Sequence, residues 1–167
     1  MATSKLYYLP ETKTQFLASG GDVTHTLTSL AAGAGRQSAQ LDRGAETTGH
    51  PFLFRWRFWC QFATAPVVDE SIDIYIKTSD GTHLDNDDGT GDIALSAENK
   101  LKNLHYIGSM IVDEASATPE FSASGTFECY ERYLNVVVWN DTADALSATA
   151  AEHGFYIEEV PHQGQAT

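Results

Sequence analysis

Hydrophobic and polar positions alternate most cleanly between Phe52 and Phe62. Phe52, Phe54, Trp56, Phe58, Cys60 and Phe62 fall on one side of a period of two; Leu53, Arg55, Arg57, Trp59 and Gln61 fall on the other. That alternation predicts a long strand with one face in a core. Ser71 to Thr78 repeats the pattern, with Ile72, Ile74 and Ile76 inward. Tyr133 to Trp139 is different. It is β-branched and aromatic and apolar at nearly every position, which predicts a strand buried on both faces, or on one face plus a partner. Asn140, Asp141 and Thr142 then form a turn. Phe155, Ile157 and Val160 supply a return strand that Pro161 ends. The two runs read as the closing strand pair of an antiparallel sandwich.

The remaining signals are weaker. Val23 to Leu30 is Thr-rich and extended, a strand. Ala31 to Gly35 is a turn, and Gln37 to Leu41 a short polar strand. Asp85 to Asp92 is an acidic loop. Ser96 to Asn103 fits a short helix capped by Ser96. Leu104 to Val112 is a further strand, and Glu120 to Ser124 is ambiguous. The pattern gives an all-β chain with little helix, an antiparallel β-sandwich or jelly roll of about eight strands. Residues 1–21 fit an N-terminal arm or an edge strand laid on the core equally well. Residues 22–162 make the sandwich domain, and 163–167 a C-terminal tail.

Composition narrows the function. The chain has 167 residues and a net charge of -13, with only 10 Lys and Arg. Nucleic-acid binding needs cations to neutralise phosphates, so a direct DNA or RNA role is not expected. The same charge argues against docking on anionic membranes. Met1 to Pro10 is too short for a signal core, and no secretory signal is expected. Cys60 and Cys129 both lie in strand-like runs and are expected to be buried free thiols.

Candidate chemistry is sparse. Asp85, Asp87, Asp88 and Asp92 carry the oxygens that a hard cation such as calcium takes, and a solvated turn explains them as well. Gly89 sits at the fifth position of that loop and no Glu at the twelfth, so the EF-hand pattern fails. The six histidines show no HxH or HExxH spacing, and no nucleophile elbow or phosphate loop is present. The chain is expected to be no enzyme and to carry no cofactor. Arg55 and Arg57 project together from the non-core side of their strand, either as an acid-binding spot or as ordinary solvated residues.

The stretch Glu131 to Gln163, with Asn140-Asp141-Thr142, the small residues Ala143 to Ala151, His153, Phe155 and Pro161, resembles the C-terminal end of small jelly-roll virion structural proteins of tailed bacteriophages. Tyr106-Ile107-Gly108 is also similar. The resemblance covers the last third of the chain and transfers no catalytic residue. It implies a capsid decoration (cement) protein on the virion surface, made in the host cytoplasm. Its partners would be the major capsid protein and itself, as a homotrimer at a symmetry axis. Candidate partner-binding residues are Leu6, Tyr7, Tyr8, Leu9 and Phe16 in the N-terminal segment, and Trp59. The alternative is a carbohydrate-binding sandwich of a tail or receptor-binding part, with Trp59 stacking on sugar rings.

Overall fold

A computed structural model describes residues 13–44, 51–95 and 97–160. The N-terminal candidates Leu6, Tyr7, Tyr8 and Leu9, the tail 163–167 and the cap residue Ser96 lie outside the described residues. Among the described residues eleven strands form, rather than about eight: β1 (Thr14–Leu17), β2 (Val23–Thr24), β3 (Ala34–Gln37), β4 (Leu41–Asp42), β5 (Leu53–Cys60), β6 (Ser71–Ser79), β7 (Ile93–Leu95), β8 (His105–Ile111), β9 (Phe121–Glu128), β10 (Tyr133–Asn140) and β11 (Gly154–Glu159).

They build two sheets. Sheet A has the order β2-β1-β11-β5-β9 and sheet B the order β7-β3-β10-β6-β8, with β4 also pairing β10. The pairings nest: β1 with β11, β3 and β4 with β10, β5 with β9, β6 with β8. Each pair encloses the next along the chain. This is a long hairpin rolled onto itself, the jelly-roll topology. β2, β4 and β7 are short additions to that frame, and β2 joins β1 in parallel.

The alternating runs fill the space between the sheets. Phe54, Trp56, Phe58 and Cys60 of β5 and Ile72, Ile74 and Ile76 of β6 are buried there, together with Val136 and Val138 of β10 and Phe155 and Ile157 of β11. Both cysteines are buried and free. β10 is buried on both faces, because 85–104 folds over the outside of sheet B. At one end Leu95, Leu101 and Leu104 pack on Val137, Trp139 and Tyr75. At the other, Gln37, Lys77 and Asn135 are sealed beneath the acidic loop.

Several expectations are corrected. β10 and β11 do not pair: residues 141–153 carry the chain across the sandwich, so the two strands sit in opposite sheets. Only Val23 and Thr24 of the Thr-rich run are strand. Beyond them Thr26 is tied to Asp92, and the chain turns with Leu30 N–H donating to Leu27 C=O and Ser29 at φ 54°. The expected turn 31–35 contains the start of β3, which ends at Gln37. The expected helix is a short 3-10 turn, Glu98–Leu101, whose N-cap is Ala97 with no side-chain cap bond. The ambiguous segment 120–124 belongs largely to β9. Phe16, a partner-binding candidate, is fully buried in β1, edge to face with Phe155 at 5.8 Å, so it anchors the chain's own core.

Candidate functional site

The acidic loop does not gather its carboxylates. Asp85 accepts from the backbone N–H and hydroxyl of Thr78. Asp87 and Asp88 both pair with Lys100. Asp92 takes Arg36 Nε at 2.6 Å and Thr26 Oγ1 at 2.6 Å. Burial alone would raise the Asp92 pKa, and the bonds from Arg36 and Thr26 outweigh it and hold the carboxyl low. The four calcium candidates therefore make three tethers, Asp85 to Thr78, Asp87 and Asp88 to Lys100, and Asp92 to Arg36 and Thr26. No group of three or more His, Cys, Asp or Glu able to hold a metal occurs among the described residues. A shallow hollow of about 710 Å³ lies between this loop and the 3-10 turn, with His83, Asp85, Asp87 and Lys100 on its walls. Asp80 accepts from the backbone N–H and ring of His83 and from Thr82 N–H, which holds its carboxyl well below the usual range.

Beneath the loop lies a polar layer that the sequence did not announce. Lys77 Nζ donates to Gln37 Oε1 and to Gly89 C=O. Gln37 Nε2 donates to Gly89 and Gly91 C=O, and Asn135 Nδ2 to Ser38 and Thr90 C=O. These side chains hold the loop down by its backbone carbonyls. Each sits in phase with solvent-facing positions of its strand, so alternation alone marks it as exposed.

The opposite side of the molecule has a different character. Sheet register brings residues of three strands, β11, β5 and β9, into rows on the outer face of sheet A. Arg55 lies between Glu158 and Thr126, Arg57 between Tyr156 and Ser124, and Trp59 between Gly154 and Ser122. A groove of about 330 Å³ runs along Arg55, Arg57, Ser124, Thr126 and Tyr156. Arg57 Nη2 donates to Ser122 Oγ at 3.0 Å. Arg55 lies 3.9 Å from Glu158, whose side chain is only 8% exposed. Lys13 Nζ sits 4.4 Å above the Tyr156 ring, which adds a third cation to the face.

Trp59 is half-buried here. Its ring covers Gly154 and tilts onto Tyr156 at 6.4 Å. A Cβ on residue 154 would fall 2.2 Å from the ring, so glycine is what lets the indole lie down, beside Leu17. The chain itself covers much of Trp59, leaving less ring face for a sugar than its place on the strand suggested. Leu53 is also half-buried. Larger exposed apolar groups lie elsewhere, among them Tyr106 and Ile111 on the edge strand β8.

No protein-family model matches the chain, and no curated protein does.

Proposed function

We propose that the chain is a non-enzymatic structural protein of a tailed-bacteriophage virion, a capsid decoration protein that binds the major capsid protein, stabilises the head and self-associates as a homotrimer. The support is the resemblance of Glu131 to Gln163, taken with the place of that stretch in the fold. It forms β10 and β11, each an interior strand of its sheet, and the turn that leaves β10. The interior between the sheets is filled by large side chains such as Phe54, Phe58 and Phe155. What the domain offers a partner is therefore its faces and edges, as a shell-binding protein requires. The exposed Tyr106 and Ile111 on β8 give self-association an apolar contact.

The test uses particles grown from the genome that encodes the chain, with and without its gene. Mass spectrometry should find the protein in purified virions in fixed ratio to the major capsid protein. Cryo-electron microscopy should place it on the head, and particles lacking it should release their genome at lower temperature. Absence from virions would refute the proposal. Density on the tail, with signal on a glycan array, would favour the carbohydrate-binding alternative. Light scattering at tens of micromolar reads the trimer in free solution.

A further inference from the structure

The chain has ten Lys and Arg residues, and their distribution is uneven. Lys5 lies outside the described residues. Arg36, Lys100 and Arg132 are paired to Asp92, to Asp87 and Asp88, and to Asp42. Arg43 donates to the carbonyls of Pro51, Cys129 and Glu131 and lies over the Phe54 ring. Lys77 is sealed under the acidic loop. Lys13, Arg55 and Arg57 share the outer face of sheet A, where Arg55 pairs with Glu158 at 3.9 Å and Arg57 donates to Ser122, and Lys102 is exposed near the 3-10 turn. A chain of net charge -13 thus presents a cationic groove on one broad face, while the acidic loop covers the other.

We infer that the outer face of sheet A is a docking site for a carboxylate-bearing segment of a protein, which, on the reading above, is an acidic surface segment of the shell. Arg57 supplies a planar donor suited to carboxylates, the Arg55–Glu158 pair borders it, Ser124 and Thr126 supply hydroxyls, and the Lys13–Tyr156 pair forms an amphipathic wall. The net charge selects among anions. A long polyphosphate meets the field of the whole acidic molecule, whereas a short acidic segment meets only the groove. The same polarity orients the protein, basic face toward the shell and acidic loop toward solvent.

The test is an NMR titration of the 15N-labelled protein with a hexaglutamate peptide, with a hexathymidine oligonucleotide and a hexalysine peptide as comparisons. Hexaglutamate should shift the amides of Arg55, Arg57, Ser124, Thr126 and Tyr156, and its binding should weaken as salt rises and screens the charges. Arg57→Glu should weaken binding by at least about tenfold, while Lys102→Glu leaves it unchanged. Arg57 is exposed and bonded only to another exposed side chain, so its reversal should leave the fold intact, as thermal melting will verify. Shifts confined to other faces, or an equal effect of Lys102→Glu, would overturn the site. Tighter binding of hexathymidine than of hexaglutamate would overturn the choice of carboxylate. The shell arm uses gene-deleted particles. Equal decoration by wild type and Arg57→Glu removes the face as the dock and leaves the shell reading standing. Failure of wild type to decorate removes the shell as occupant, and hexaglutamate alone then decides whether the face takes carboxylates. Self-association lost on Arg57→Glu would name a second copy, and not the shell, as occupant.

Discussion

Lys77 Nζ donates to Gln37 Oε1 across 3.0 Å, from β6 to β3, over the intervening strand β10. Both side chains are fully enclosed, and Lys77 also holds Gly89 C=O. Burial lowers the lysine pKa, partly offset by Asp88, Asp85 and Asp87 nearby. Lys77→Met removes the buried charge but strands Gln37 Oε1, at about 1–3 kcal/mol for an unpaired acceptor, while Gly89 C=O keeps its bond from Gln37 Nε2. The variant should be less stable by that order, and the loop 85–92 should become sensitive to limited proteolysis. A lysine with a lowered folded pKa gains stability as pH rises toward its unfolded value of 10.5. The gap between wild type and variant should therefore widen on that side, as urea melts at two pH values will read.

Asn140→Asp tests the turn after β10. Asn140 is fully buried, and its Nδ2 donates to the carbonyls of Leu30, Ala31 and Asp144 while Oδ1 accepts from Thr142. The aspartate loses every donor and sets a charge against three carbonyls. The cost should be on the order of 3–5 kcal/mol, as for a buried polar group left without its partner. Calorimetry of the variant measures it, and an unchanged melting temperature would show that the network is dispensable.

Acid should destabilise the protein through His25. Burial holds its pKa down at about 4 against an ordinary 6.5, with Nε2 facing Arg36 C=O at 3.2 Å. Between those values the unfolded chain binds a proton that the folded one refuses, so stability falls as pH falls from 6.5 toward 4. The full loss is on the order of 3 kcal/mol. His153 is also buried, and burial shifts it the same way. His25→Phe keeps a ring and does not titrate. Its denaturation midpoint should be flatter between pH 6.5 and 4, retaining the part due to His153 and to carboxylates such as Asp92.

Phe58→Ala should cost about 3–5 kcal/mol, from lost transfer energy and the cavity left behind. Phe58 is fully buried in β5 and stands between Phe155 and Ala123 on the adjoining strands. Equilibrium denaturation gives the value directly.

β5, β6 and β10 were legible because one face, or both, must be apolar where a sheet meets a core. What the pattern could not carry is which sheet a strand joins. β10 and β11 follow one another in sequence, and sequence neighbours usually pair, but residues 141–153 are long enough to cross the sandwich. Nor could it mark Gly35 as strand. Small residues imitate a turn, while the structure needs a bare Cα there because a Cβ would lie 2.7 Å from the Trp139 ring. Lys77 and Gln37 look solvent-facing, and only a loop distant in sequence buries them. Arg55 and Arg57 were visible as a pair. Their company with Lys13 and Tyr156 depends on register between strands from opposite ends of the chain.

β11 occupies the interior of sheet A, between β1 and β5. Until residue 159 is available, that sheet is split, with β1 and β5 each presenting an unsatisfied edge in its middle. The chain therefore cannot close its roll during synthesis of the first strands, because β1 pairs with β11, the first described strand with the last. Sheet proteins of such non-local pairing fold in roughly milliseconds to seconds. Through that interval the open slot is a template for another chain's strand, so temperature and concentration during expression, more than the finished protein's stability, will set how much folds rather than aggregates.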